Sequence, residues 1–242
     1  MKYIVFALPL IFLMACKKEN TPDAGNADKL PVKITEIFDD EPEVSTFEYD
    51  DQKRLTRYVC AEEENYGSVI SLFYLNDELS YTTTYWNDLK QTTRLDYSRS
   101  GNVVTCTGRE NEKGDIRDVT YIITLHAQGY PESIDGPYES DLSTYLYDAR
   151  GNPVERSGSG TLSVGEYDGK KGIFSACTTP AWWFYQEGVF RQYLRNNLLK
   201  ETYTKGNITS EYSYTYTYDA DGYPVRMTVD DEEETVIEYK SL

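Results

Sequence analysis

The sequence predicts a mainly β protein: an antiparallel β-meander of hairpins forming a curved sheet, with one short helical aromatic insert at about 179–195. Three observations carry that reading. In EYSYTYTYD, Tyr212, Tyr214, Tyr216 and Tyr218 alternate with small polar residues, and a period of two puts all four rings on one face of a strand. YDARGNPVE (147–155) and YDADGYPVR (218–226) share the pattern Tyr-Asp-x-x-Gly-x-Pro-Val, a hairpin turn written twice. One segment, 172–201, breaks the alternation with a crowd of large aromatics.

The chain opens MKYIVFALPLIFLMACKKEN, with Lys2 as a positive start and an apolar run from Ile4 to Met14. A spanning helix needs about 20 apolar residues, so this run has the length of a signal peptide instead. Leu13-Met14-Ala15-Cys16 resembles a bacterial lipobox, although Met14 departs from the small or β-branched residue that motif prefers. The resemblance implies cleavage after residue 15 and lipidation of Cys16, with several acyl chains that hold the protein on a membrane. Lys17 is not the aspartate that resembles an inner-membrane retention signal, and Lys17-Lys18-Glu19 resembles a short charged surface-export tract, so an outer-membrane or cell-surface address is expected. Residues 16–30 read as the lipidated cysteine and a disordered polar tether, with a reach of roughly 20 Å. Residues 31–242 then form a single all-β domain.

A formal charge of −17 argues against nucleic acid, whose binding needs Lys and Arg to neutralise phosphates. It equally disfavours docking on anionic lipid, which leaves membrane contact to the lipid anchor. The acidic runs DDEPE (39–43), EEE (62–64) and DDEEE (230–234) fall where turns are expected and read as solvated loops. Cys60, Cys106 and Cys177 are an odd number without metal-ligand spacing; buried free thiols are expected, with one disulfide as the alternative.

Strands are expected at 68–75, 79–86, 119–125 and 143–147, besides 212–218. The 23 tyrosines suit a pleated wall that is apolar inside and wet at the hydroxyl tips. In the two matching turns, Asp148 and Asp219 can accept from the backbone two residues on, and Gly151 and Gly222 supply the positive φ that closes the loop. Weaker copies lie at YDDQKRLTR (49–57), YSRSGNVVT (97–105) and LHAQGYPES (125–133). In the insert, Thr179 can cap a helix, Pro180 suits its first position and Gly188 its end, with a second helical turn from Val189 to Leu194. The insert reads either as a plug over the sheet or as a stacking platform built on Trp182, Trp183 and Tyr185, with Trp183 the more buried indole.

These YD-x-x-G segments resemble the hairpins of YD/RHS-type repeats. Together with the lipobox and NNLLKE (196–201), they are similar to a Bacteroidota outer-membrane or surface lipoprotein family of unknown function. The resemblance is strongest from Tyr145 onward and implies an antiparallel β architecture at the cell envelope, with no catalytic residue.

Chemistry-bearing motifs are sparse. His126 is the sole histidine, which excludes a His-rich metal site. No Gly-x-Ser-x-Gly elbow is present, and GEYDGKKG (165–172) lacks the spacing and hydroxyl of a phosphate loop. DADG (219–222) lacks the first carboxylate and flanking helices of a calcium loop. The expectation is therefore no metal, no cofactor and no catalytic residue: a non-catalytic binding or accessory module for a glycan or protein ligand. The alternative is a carboxylate hydrolase acting on an external polysaccharide, recognisable by two facing carboxyl groups in a cleft.

Overall fold

The computed structural model describes residues 28–38, 41–61, 67–112, 115–137, 142–189, 194–230 and 233–242. Within them lie β1 (Lys29–Phe38), β2 (Glu41–Tyr49), β3 (Leu55–Ala61), β4 (Gly67–Leu75), β5 (Glu78–Trp86) and β6 (Gln91–Ser100). The chain continues with β7 (Val103–Glu112), β8 (Asp115–Leu125), β9 (Pro131–Asp135), β10 (Ser143–Tyr147), β11 (Pro153–Gly158) and β12 (Thr161–Tyr167). After the helix α1 (Ala181–Gln186) come β13 (Leu198–Lys205), β14 (Ile208–Tyr218), β15 (Pro224–Val229) and β16 (Glu233–Ser241).

Every strand pairs antiparallel with its successor, and β1 also pairs with β16, so the meander closes into a barrel. This corrects the expectation of an open curved sheet. An open sheet would leave two edges of unpaired backbone groups, and the β1–β16 ladder from Lys29↔Ser241 to Ile37↔Glu234 removes both. It also moves the start of ordered chain forward. Lys29 and Leu30, expected in the tether, belong to β1, and Lys29 Nζ lies 2.7 Å from Asp219 and 2.5 Å from Asp221. The signal segment, Cys16 and the tether up to residue 27 lie outside the described residues, as do the acidic run 62–64 and positions 190–193 of the expected second helical turn.

Alternation sorts each strand into an inner and an outer face. On β6, Thr93 and Leu95 are buried while Arg94, Asp96 and Ser98 are exposed. The inner faces supply Ile34, Phe47, Leu72, Val104, Ile123, Tyr145, Met227 and Ile237 to one apolar cluster. The outer wall carries threonines and ion pairs, Glu48–Arg57 at 2.8 Å, Lys33–Glu238 at 2.9 Å, Lys200–Glu211 at 2.8 Å and Arg94–Asp96 at 2.5 Å, together with exposed apolar side chains at Phe73, Ile122, Leu146, Leu162, Val164 and Leu199. About eight strands enclose an interior that inward side chains fill by themselves. Sixteen leave a lumen, and the segment between β12 and β13 occupies it. Ile173, Phe174, Trp182, Trp183, Phe184 and Tyr185 all join the inner-wall cluster.

The rim where even strands turn into odd ones repeats one device. Asp50 Oδ1 accepts from the N–H of Gln52 and Arg54, both at 2.9 Å; Asp148 Oδ1 from Arg150 and Asn152, at 2.8 and 2.9 Å; Asp219 Oδ1 from Asp221 and Tyr223, at 2.9 and 3.0 Å. Gly151 and Gly222 hold φ of 88° and 82°. Gly129 in the weaker copy holds 83°, while Lys53 takes the left-handed position at 65° in the copy that lacks glycine. Opposite Tyr49, Tyr74, Tyr147, Tyr167 and Tyr218 the returning strand carries one extra residue, Thr56, Ser80, Val154, Leu199 and Val225 in turn, that bulges out of the ladder just after the turn.

The tyrosine tips on this rim are not wet as expected. Tyr49, Tyr74, Tyr147 and Tyr239 donate to the carbonyls of Pro31, Leu55, Pro131 and Pro224 at 2.8–2.9 Å, and Tyr216 donates to Leu198 at 2.6 Å. Each acceptor lies at or near the start of the preceding odd strand. A phenol half-buried against the core needs a partner, and that carbonyl supplies it.

The insert is this same turn, spliced open. Asp168 stands where Asp148 does: its N–H donates to Asn197 O at 3.0 Å, as Asp148 N–H donates to Asn152 O at 3.0 Å. Its Oδ1 accepts from Lys170 and Asn197 N–H, each at 3.0 Å. Asn197 Nδ2 reaches Asp168 Oδ2 at 3.1 Å, matching Asn152 Nδ2 on Asp148 Oδ2 at 3.0 Å. Residues 173–185 thus hang from a closed turn into the lumen.

Candidate functional site

The turn rim opens into a cavity of about 780 Å³ between the plug and the β2–β9 side of the wall. Its depth is apolar: Leu79, Val104, Leu125, Phe174, Trp182 and Phe184. Its mouth is charged, with Asp28, Asp51, Lys53, Asp77 and Glu78 toward β1–β5, and Arg99 and Arg195 toward β6–β9. These positions come from strand ends and turns far apart in the chain, so no sequence motif joins them; only closure of the barrel does. Tyr97 bridges wall and plug, donating to Gln186 Oε1 at 3.1 Å and lying 3.1 Å from Thr82 Oγ1.

The plug helix is held at both ends by backbone geometry. Thr179, expected as its cap, is used otherwise: its hydroxyl accepts Leu55 N–H at 2.7 Å, and Pro180 takes the cap position. Gly188, at φ 73°, ends the helix with Gly188 N–H on Tyr185 O at 3.2 Å and Val189 N–H on Phe184 O at 3.0 Å, the two bonds of a Schellman closure. Trp182, Trp183 and Tyr185 are 6%, 0% and 4% exposed. They do not form the open stacking platform that their crowding suggested. The lumen needs their volume, and Trp182 reaches solvent only through the cavity floor, packed against Tyr97 at 5.1 Å between ring centres. Asp148, Gly151, Asp219 and Gly222 sit in rim turns and line no cavity described here. His126 is exposed in the β8–β9 turn, its Nδ1 accepting Gln128 N–H at 3.3 Å. None of Cys60, Cys106 and Cys177 forms a disulfide, and burial pushes the Cys106 thiol up, with Glu110 and Glu187 adding to the shift.

The opposite rim holds a shallower pocket of about 310 Å³ lined by Glu36, Glu201, Tyr212, Tyr214, Met227 and Glu233, among others. Burial raises the Glu36 carboxyl, and its cross-strand neighbour Glu43 and the nearby Glu233 raise it further. A separate acidic pair lies within the wall–plug interface. Burial pushes Glu187 up to about 8, with Glu110 of β7 contributing, and burial raises Glu110 as well although Tyr121 donates to it at 2.7 Å. Among the described residues, no group of three or more His, Cys, Asp or Glu has the arrangement of a metal site.

Fold and site together define a plugged sixteen-stranded antiparallel barrel with an ion-paired outer wall and a cavity at one rim. No protein-family model matches the chain, and no curated protein matches it in sequence. Among solved structures it is similar to a porin-like protein from Bacteroides vulgatus ATCC 8482, at 12% identity and a TM-score of 0.43, over 89% of this chain and 100% of that one. It is also similar to a porin-like protein from Bacteroides uniformis ATCC 8492, at 11% identity and a TM-score of 0.40, over 90% of this chain and 98% of that one.

Proposed function

We propose that the chain is an outer-membrane lipoprotein whose barrel stays in water and acts as a non-catalytic binding module, its ligand entering the cavity at the turn rim. The cavity carries the binding reading: its volume falls within the range of about 300–1,000 Å³ usual for ligand sites, with an apolar depth and a few polar groups at the mouth. The charged positions of the outer wall favour a lipid anchor over a spanning barrel, and the exposed apolar side chains Phe73, Ile122, Leu146, Leu162 and Val164 share that wall with them. A transmembrane barrel turns an apolar band about 25 Å tall toward lipid, and Arg or Lys on that face costs about 2–4 kcal/mol at the midplane. Here Lys33, Arg57, Arg94 and Lys200 face outward with their carboxylate partners. Among the described residues no helix is long and apolar enough to cross a membrane. The Leu13-Met14-Ala15-Cys16 motif supplies the attachment.

The hydrolase alternative has one close carboxyl pair lining a pocket, Glu36 and Glu233 on the paired strands β1 and β16, and it lies at the opposite rim rather than in the cavity. Glu36 and Glu201 line one pocket but stand four strand spacings apart along the wall. At about 4.8 Å per strand that is on the order of 19 Å, against about 5–9.5 Å for glycosidase pairs. Glu110 and Glu187 line none of the cavities described.

Two measurements test the proposal. Fatty-acid labelling of cells should mark the wild type and spare Cys16→Ser; equal labelling refutes the anchor. Titrating the full-length protein with a panel of glycans and peptides should shift its tryptophan emission through Trp182; no shift with any member refutes the binding module.

A further inference from the structure

The distribution of charge around the cavity mouth points to a ligand class. We infer that the cavity takes a short peptide-like zwitterion, with its free amine toward the β1–β5 lip and its free carboxylate toward Arg99 and Arg195. This inference rests on the binding role proposed above and names its ligand.

The two lips differ in sign. Asp28, Asp51, Asp77 and Glu78 crowd one side, where Lys53 is taken up by Asp28 at 2.7 Å. Asp51 and Glu78 have no ion-pair partner among the described residues, so that lip keeps negative charge in excess. The other lip carries Arg99 and Arg195 and none of the cavity's carboxylates. In a chain of net charge −17, arginines normally find an acid: Arg54, Arg57, Arg94, Arg150 and Arg226 each pair with a carboxylate. Arg99 and Arg195 do not, among the described residues. Arg99 Nε donates to Gly101 O at 3.0 Å, and Arg195 contacts the Tyr130 hydroxyl with its guanidinium 5.4 Å from that ring's centre. A guanidinium held at a cavity mouth without a carboxylate is placed to receive one.

Geometry sets the ligand's length. Asp51 belongs to the β2–β3 turn and Arg99 to the end of β6, between three and four strand spacings along the rim. At about 4.8 Å per spacing the arc is on the order of 15–19 Å, shortened by curvature and by the inward reach of the side chains. An extended chain covers about 3.3–3.6 Å per residue, so three to five residues bridge the lips. The apolar depth between them accepts an aliphatic or aromatic side chain, whereas a neutral sugar would leave both lips without a counter-charge.

The test uses full-length protein in mild detergent and isothermal titration with Ala-Leu-Ala-Leu, in forms with free ends, acetylated N-terminus and amidated C-terminus, with maltotetraose as a neutral probe. The free peptide should bind, and each block should weaken it at least tenfold. Arg99→Gln should abolish the preference for the free carboxylate while keeping that for the free amine, and Asp51→Asn the reverse; both positions are exposed, and a thermal melt verifies folding. Equal affinity of free and blocked peptides overturns the zwitterion class. Binding of maltotetraose with none of the peptides overturns it too, while leaving the cavity's binding role in place. No binding by any probe overturns both.

Discussion

Gly151 and Gly222 hold nearly the same backbone conformation, yet substitutions there have different consequences. A Cβ on Gly151 would stand 3.0 Å from the Tyr130 ring, whereas one on Gly222 meets nothing within 4 Å. Both Ala variants carry the strain of a positive φ, on the order of 1 kcal/mol. Gly151→Ala should cost more in a urea melt, since Tyr130 is itself buried and cannot swing clear. Equal costs would show that Tyr130 yields freely. This much was readable from the repeated Tyr-Asp-x-x-Gly-x-Pro-Val; the neighbouring ring was not, because Tyr130 comes from another hairpin. Glu187 was equally hidden, since nothing in QEG marks a carboxyl that the wall will bury beside Glu110. Burial raises its pKa to about 8 in the folded protein, from 4.5 in its absence. A carboxyl raised on folding contributes stability that is full below about pH 4.5 and is lost as pH rises toward 8. Glu187→Gln removes that titration. Its melting temperature relative to the wild type should climb between pH 5 and 8 and level off above. A constant difference across that range would place Glu187 in water.

At the scale of elements, the sequence announced the rim turns and concealed the most consequential one. Asp168 and Asn197 close a turn of the same kind as Asp148 and Asn152, but residues 169–196 separate them, so the pattern cannot be read by spacing. The strands at 67–75, 78–86 and 143–147 were legible because alternation is local. The aromatic run Trp182-Trp183-Phe184-Tyr185 was visible too, but its role depended on a lumen that no local signal predicts. Replacing residues 169–196 by Ala-Arg-Gly, the sequence at 149–151, should restore an ordinary turn between Asp168 and Asn197. It should also hollow the core, because six large buried side chains leave together. Truncating a single buried Phe or Trp costs about 3–5 kcal/mol, so this variant should lose cooperative unfolding and bind a hydrophobic dye strongly. Retention of a sharp two-state melt would show that the wall is stable without its plug.

For the molecule as a whole, the decisive event is the pairing of β1 with β16, residues at opposite ends of the chain. Hairpin signals act between neighbours and leave the number of strands in one sheet undetermined, which is why a curved sheet was the natural expectation and a barrel the outcome. The outer wall, by contrast, was present in the sequence all along as the outward half of each alternation, charged at Lys33, Arg57, Arg94 and Lys200 and apolar at Ile122, Leu146, Leu162 and Val164. It became interpretable only once closure showed which half faces outward. If that wall is made for water, full-length Cys16→Ser should refold from urea without detergent and without lipid; a requirement for either would contradict the assignment of the outer face. Closure has one more consequence. Leu242 N–H donates to Asp28 O at 3.1 Å, so the two ends of the described barrel touch, on the same rim as the cavity. If Cys16 carries the lipid proposed above, its tether joins the barrel at this rim, beside the cavity. Because the ends touch, a short linker could join them and new ends could be opened in the β13–β14 turn at Gly206, on the far rim. That circular permutant, given the same lipidated leader, would be the same barrel tethered at the rim away from its cavity. Comparing the two attachments would show whether the ligand arrives from the membrane or from the surrounding solution.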